Sequence, residues 1–160
     1  ADQVVVMTRG RAVQIGSASD LFERPQHTFV GHFIGSPGMN FLSAQRTSAG
    51  LQVAGHTLTG ALRVPDGEPA FTLGVRPEYV QLAEANAPGA VPAQVTQAQD
   101  IGTYWLLTAS VGSGSERATV RARISGLGRV PKAGESVWLS IVGTHTCYYR
   151  NEELLQEAAA

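Results

Sequence analysis

Two periods divide the chain. From Phe41 onward apolar residues recur at every second position, as in Phe71-Thr72-Leu73-Gly74-Val75 and at Val120, Ala122 and Ile124. A period of two puts successive side chains on opposite faces of a strand. With the largely apolar run 104–109 and the runs 137–142 and 146–149, residues 41–46, 51–53, 57–59, 71–75, 79–82, 91–95 and 119–124 read as about ten short strands. Turn-forming runs separate them, among them Pro65-Asp66-Gly67-Glu68-Pro69, Gly112-Ser113-Gly114-Ser115 and Pro131-Lys132-Ala133-Gly134. Short strands at this spacing predict a small barrel or two barrel-like halves. Within 119–124 the alternation turns Arg121 and Arg123 outward. Residues 151–156 read as a short closing helix.

Ahead of Phe41 the pattern changes. Val4-Val5-Val6-Met7 and Ala12-Val13-Gln14-Ile15 flank Gly10 and predict a hairpin over 4–15. Its first strand would leave an edge open to pairing with another chain. Ser17 is placed to cap a helix over 18–24, with Asp20 at its third position, Leu21 and Phe22 facing inward and Pro25 as its stop. Phe29, Val30, Phe33 and Ile34 share one face of a second helix over 27–34. In Phe33-Ile34-Gly35-Ser36-Pro37-Gly38-Met39-Asn40-Phe41 that helix must end. Pro37 fixes its own φ and drives Ser36 out of the helical region. Gly35, Ser36, Pro37, Gly38, Asn40 and Phe41 are therefore the expected junction, with Met39 and Phe41 as its anchors. The expected division is 1–36, 37–156 and a disordered tail over 157–160.

Composition narrows the function. Hydrophobic residues are 43% and charged ones 16%, so a packed core is expected rather than disorder. The net charge of −1 and an aromatic content of 7% argue against nucleic acid as a partner. Lys132 is the only lysine beside eleven arginines, a balance read as codon bias. Cys147 stands alone, excludes an internal disulfide and reads as a buried structural thiol. No run reaches the roughly 20 apolar residues of a membrane helix, and no signal peptide is evident. The opening Ala1-Asp2-Gln3, without Met, leads to the expectation of a piece cut from a longer protein.

Catalytic chemistry is hard to place. A phosphate-cradling loop needs Gly-x-x-x-x-Gly-Lys-Ser/Thr, so that backbone amides and the lysine meet the phosphates. Lys132 follows Pro131, so no such loop is present. Gly126-Leu127-Gly128-Arg129-Val130-Pro131 opens like a dinucleotide fingerprint but lacks the third glycine and the helix. There is no Gly-x-Ser-x-Gly elbow. Acid–base work needs carboxylates in one cleft, whereas Asp2, Asp20, Asp66 and Asp100 are scattered, and Asp66 and Asp100 read as turn residues. His27 and His32, five apart, do not share a helix face as a ligand pair would. Neither a catalytic, a cofactor nor a metal site is predicted. Arg76-Pro77-Glu78 is the most pointed polar group. It reads either as a strand-end ion pair worth under about 1 kcal/mol or as part of an interface.

These stretches carry a resemblance. Ala1-Asp2-Gln3-Val4-Val5-Val6-Met7, Gly10-Arg11, Gln14-Ile15-Gly16, Leu21-Phe22-Glu23-Arg24-Pro25, Phe29-Val30 and the run from Phe33 to Leu42 resemble the end of the ATPase subunit of ABC sugar importers. Leu73-Gly74-Val75-Arg76-Pro77-Glu78 is similar to a motif of that family's C-terminal regulatory domain. Two departures stand out. Gln99-Asp100-Ile101-Gly102 replaces the usual Glu-x-Leu-Gly, and Cys147-Tyr148-Tyr149-Arg150 replaces His-Leu-Phe-Asp.

The resemblance implies a mainly β fold, with an OB-like (TOBE) β-barrel regulatory domain behind a short α/β remnant of an ABC nucleotide-binding domain. It implies a non-catalytic regulatory and dimerisation module, because the Walker A and B segments, signature loop and switch histidine are missing. The parent would bind ATP and Mg, and would hydrolyse ATP at the cytoplasmic, inner face of the bacterial inner membrane to import sugars or glycerol-3-phosphate. The implied partners are a second copy of the subunit, membrane permease subunits and a regulatory protein, but no nucleic acid. Gly74, Arg76, Pro77, Glu78, Asp100 and Gly102 are the expected regulatory interface. The other reading is a small-ligand or oxyanion sensor charged by Arg76, Arg121 and Arg123.

Overall fold

The computed structural model describes residues 3–9, 11–17, 22–26, 28, 31, 38–60, 70–126, 128–150 and 153–155. Their strands are β1 (Val4–Thr8), β2 (Arg11–Gly16), β3 (Asn40–Thr47), β4 (Gly50–Val53), β5 (His56–Thr57), β6 (Ala70–Val75), β7 (Gln81–Ala83), β8 (Ala90–Asp100), β9 (Trp105–Val111), β10 (Ala118–Ile124), β11 (Ser136–Ser140), β12 (Cys147–Arg150) and β13 (Glu153–Leu154). They form three antiparallel sheets. One is the β1-β2 hairpin; the second has the order β10-β9-β8-β11-β7; the third has the order β13-β12-β6-β3-β4-β5.

The second and third sheets share one core, as the alternation requires. Leu42, Leu73, Val75 and Tyr148 from one sheet meet Val95, Leu107, Val120 and Leu139 from the other. Burial of such a side chain contributes about 1.5–3 kcal/mol. Two seams join the sheets. At one, the Asn40 amide bridges β3 to β10: its Nδ2 donates to the Arg121 carbonyl (2.8 Å), and the Arg121 N–H donates to its Oδ1 (2.9 Å). At the other, the Gly89 N–H donates to the Thr59 carbonyl (3.1 Å) and the Gly89 carbonyl accepts from Ile141 (3.0 Å). The mainly β, barrel-like fold follows the sequence pattern.

The expected hairpin over 4–15 is β1 and β2, with a register shift between Val6 and Met7. Val5 and Met7 are 51% and 56% exposed. Phe22, Glu23, Thr28 and Gly31 are helical. The rest of the two expected helices, and Gly35, Ser36, Pro37, Asp66 and the tail, lie outside the described residues. Among the described residues no helix is long and apolar enough to cross a membrane.

Several boundaries differ from expectation. The strand expected over 91–95 runs to Asp100, because a register shift between Val95 and Gln97 lets its ladder with β9 continue. Tyr79 ends a 3-10 turn over Pro77–Tyr79 instead of opening a strand. The expected helix over 151–156 is replaced at Glu153–Leu154 by β13, whose residues pair with Tyr149 and Arg150. There the hydrogen bonds of the neighbouring sheet outweigh the helical propensity of two acidic residues and two leucines.

Candidate functional site: a joint around Gly74 and Arg76

The motif Leu73-Gly74-Val75-Arg76-Pro77-Glu78 builds the joint through strand alternation. Leu73 and Val75 point into the barrel core, so Gly74 and Arg76 fall on the opposite, rear face of β6. Arg76 keeps an extended backbone (φ −75°, ψ 148°), as a residue before proline prefers. Pro77 has no N–H for the ladder, so the strand ends there and the 3-10 turn begins. That turn brings Tyr79 to the rear face as well.

Gly74 lies in a cross-strand row between Phe41 and Cys147. The space a side chain would take is filled by its neighbours. A Cβ there would meet Met39 Sδ at 2.7 Å, Tyr149 Cε2 at 2.9 Å and Phe41 Cε1 at 3.1 Å. Tyr149 and Phe41 pack edge to face with centroids 5.6 Å apart. Met39, Cys147 and Tyr149 thus form a second small core behind the sheet.

Residues 22–26 dock onto this rear face. Arg76 is 1% exposed; its Nε donates to the Phe22 carbonyl (2.6 Å), and its guanidinium lies 3.9 Å from the Phe22 ring centroid. Burial lowers the Arg76 pKa, and Glu78, Tyr149, Cys147 and Glu23 counter it by stabilising the cation. The Cys147 thiol donates to the Glu23 carbonyl (3.8 Å), and the Tyr149 hydroxyl to the Pro25 carbonyl (2.6 Å). Burial pushes the Tyr149 pKa far above its ordinary value. From the other side, the buried Gln14 amide of β2 donates to the Arg24 carbonyl (3.3 Å) and accepts from the Gln26 N–H (2.9 Å). The Leu154 N–H of β13 donates to the Gln26 carbonyl (2.8 Å).

A polar rim closes the joint. The Tyr79 hydroxyl donates to the Glu23 carboxylate (2.9 and 3.1 Å to its two oxygens), and burial with this bond raises the tyrosine pKa. His145 stacks on Tyr79 at 3.9 Å, with its Nδ1 3.5 Å from Glu23 Oε2.

The expected site residues are therefore distributed. Gly74, Arg76 and Pro77 are buried at the joint. Glu78 pairs with Arg123 (4.0 Å), and Arg123 lies 3.9 Å over the Tyr104 ring. Asp100 and Gly102 are exposed; the Asp100 carboxylate accepts from the Gly102 N–H (2.9 Å). Of the junction residues, Asn40 stitches the barrel seam and Phe41 flanks Gly74. Arg76 and Arg123 engage the protein's own groups rather than gathering with Arg121 around one anion site. Sequence reasoning missed Gln14, Glu23, Tyr79 and His145. The one available signal was a glutamine inside the apolar run Ala12-Val13-Gln14-Ile15.

The motif at the joint opens the segment that matches a known family. Residues 73–147 match the family model of the TOBE domain. The chain is 36% identical over 152 residues to an uncharacterized ABC transporter ATP-binding protein of Sinorhizobium fredii, covering 88% of this chain and 37% of that protein. It is 36% identical over 147 residues to the sn-glycerol-3-phosphate import ATP-binding protein UgpC of Pectobacterium atrosepticum, covering 88% and 39%. Its likeness to the UgpC of Cereibacter sphaeroides is 45% over 89 residues, covering 56% and 25%. The chain spans well under half the length of these relatives. The matched segment runs from Leu73 in β6 to Cys147 in β12 and takes in the whole β10-β9-β8-β11-β7 sheet.

Proposed function

We propose that the chain is the C-terminal regulatory and dimerisation module of the ATP-hydrolysing subunit of an ABC importer for sugars or glycerol-3-phosphate. Residues 1–36 would then be the end of the nucleotide-binding domain and 37–156 the regulatory domain, with the run from Gly35 to Phe41 between them. ATP and Mg would be bound by the rest of that subunit, at the inner face of the bacterial inner membrane. Its partners would be a second subunit, the permease and a regulatory protein.

One observation carries this reading. The rear face of the barrel is committed to residues 22–26, so a displacement of that segment must move or break the contacts at Arg76, Cys147 and Tyr149. Such an attachment suits a module that answers to a neighbouring domain. Similarity to an ABC transporter ATP-binding protein and to an sn-glycerol-3-phosphate import ATP-binding protein supports the same reading. The TOBE surface left over, with Glu78, Asp100 and Gly102, is the face offered to a second copy.

Sedimentation equilibrium of the purified chain tests dimerisation: a concentration-dependent dimer is expected, and a strict monomer at the highest soluble concentration sinks that part. Steady-state ATP hydrolysis by the chain should be nil. Turnover above background would refute the non-catalytic assignment.

A further inference from the structure

We propose that the outer face of the β10-β9-β8-β11-β7 sheet binds a small phosphorylated sugar. Outward side chains there fall into cross-strand rows. Trp138 pairs with Pro92 and Ser136 with Gln94; Gln94 pairs in turn with Ser110. Gly112 follows the last residue of β9, and Arg117 precedes the first of β10. One row thus reads Trp138, Pro92, Gly112, Arg117, and the next reads Ser136, Gln94, Ser110. Together they line an open cleft of about 390 Å³.

The floor of this cleft is kept bare. Gly112 has φ +73°, and a Cβ there would lie 2.7 Å from the carbonyl oxygens of Ala54 and Glu116. No other residue fits without moving backbone. Pro92 adds a low, flat ring beside it. At one end the half-buried Trp138 is held by His56, whose ring packs at 5.3 Å and 75°. At the other end Arg117 is exposed, and among the described residues no carboxylate pairs with it.

A fixed indole beside a bare floor accepts the apolar C–H face of a sugar ring. Gln94, Ser110 and Ser136 supply donors and acceptors for hydroxyls. The Arg117 guanidinium matches a phosphate in forked geometry. Three strand spacings separate Trp138 from Arg117 by roughly 14 Å, which the long arginine side chain shortens to the length of a hexose phosphate. The site uses none of the residues of the joint and does not rest on the proposed function.

Calorimetric titration of the whole chain with glucose 6-phosphate, glucose and inorganic phosphate tests this, with Trp138 fluorescence followed in a Trp105→Phe background. Glucose 6-phosphate should saturate with a Kd below about 1 mM, and glucose or phosphate alone should bind at least about tenfold more weakly. Arg117→Ala, at an exposed position, should weaken binding about tenfold or more, and Trp138→Ala should do likewise. Absence of saturation, equal binding of inorganic phosphate, or unchanged affinity in Arg117→Ala would overturn the proposal.

Discussion

Replacing Gly74 by alanine is the sharpest probe of the joint. The added methyl would lie 2.7 Å from Met39 Sδ, 2.9 Å from Tyr149 Cε2 and 3.1 Å from Phe41 Cε1. Met39 is flexible at its sulfur and can yield. Tyr149 cannot yield freely, since its hydroxyl is fixed to the Pro25 carbonyl at 2.6 Å. Overpacking of this kind costs about 1–3 kcal/mol. Against it stands the strand preference for alanine over glycine, about 0.5–1 kcal/mol. The net expectation is a loss of up to about 2.5 kcal/mol, centred on about 1 kcal/mol. With a urea slope of about 1–3 kcal/mol/M, a loss of about 1 kcal/mol lowers the midpoint by roughly 0.3–1 M. Amide exchange at Gln26, whose N–H bonds to Gln14, should accelerate as the docked segment loosens. Trimming Met39 to alanine in the same chain should recover part of the loss, as a coupling of about 0.5 kcal/mol or more. If Gly74→Ala is as stable as the parent and Gln26 exchange is unchanged, the slot is not filled as described.

Other tests address single contacts. Asn40→Leu keeps the volume but strands the Arg121 N–H and carbonyl, and should lower stability by about 2–4 kcal/mol in denaturant titration; a loss under about 0.5 kcal/mol would dismiss the seam. Tyr149→Phe should cost about 1–3 kcal/mol by leaving the Pro25 carbonyl unmatched. The same tyrosine predicts an alkaline limit. Its folded pKa lies far above 10, so its contribution is complete below pH 10 and falls as pH rises further, by about 1.4 kcal/mol per unit. Unfolding midpoints between pH 9 and 11 should show this decline, and Tyr149→Phe should flatten it; an equal decline in the variant would reject the assignment. Glu23→Gln should cost under about 1 kcal/mol in the same titration, because the rim is partly exposed; a larger loss would mean that the rim rather than Arg76 holds the joint.

Much of the barrel is legible in the sequence, because its strands lie half in a core and so alternate. Val120 and Ala122 are buried between the exposed Arg121 and the half-exposed Arg123, as their spacing requires. The hairpin at the N-terminal end is likewise written in two apolar runs. Legibility fails where partners are distant in the chain. Glu153 and Leu154 look helical in isolation, yet the edge of β12 recruits them as a strand. Arg76 and Glu78 look like partners for each other, and Glu78 does stabilise the Arg76 cation, but strand alternation and the proline turn also give Arg76 the Phe22 carbonyl and ring and Glu78 the Arg123 guanidinium. The Asn40 seam joins positions 81 residues apart. No local pattern marks such a pairing, since a single amide carries it.

β12 gives the two cores a common wall. Tyr148 belongs to the barrel interior and Tyr149 to the core behind it. The two compartments are thus one peptide bond apart at this point. A shift of residues 22–26 that turned the Tyr149 ring would twist the same backbone that seats Tyr148 against Phe71, 5.5 Å away between ring centres. No chain of relays through the barrel would be required. The adjacency also limits mutational drift: a change that repacks one core alters the strand on which the other is built, so the two must be tuned as a pair.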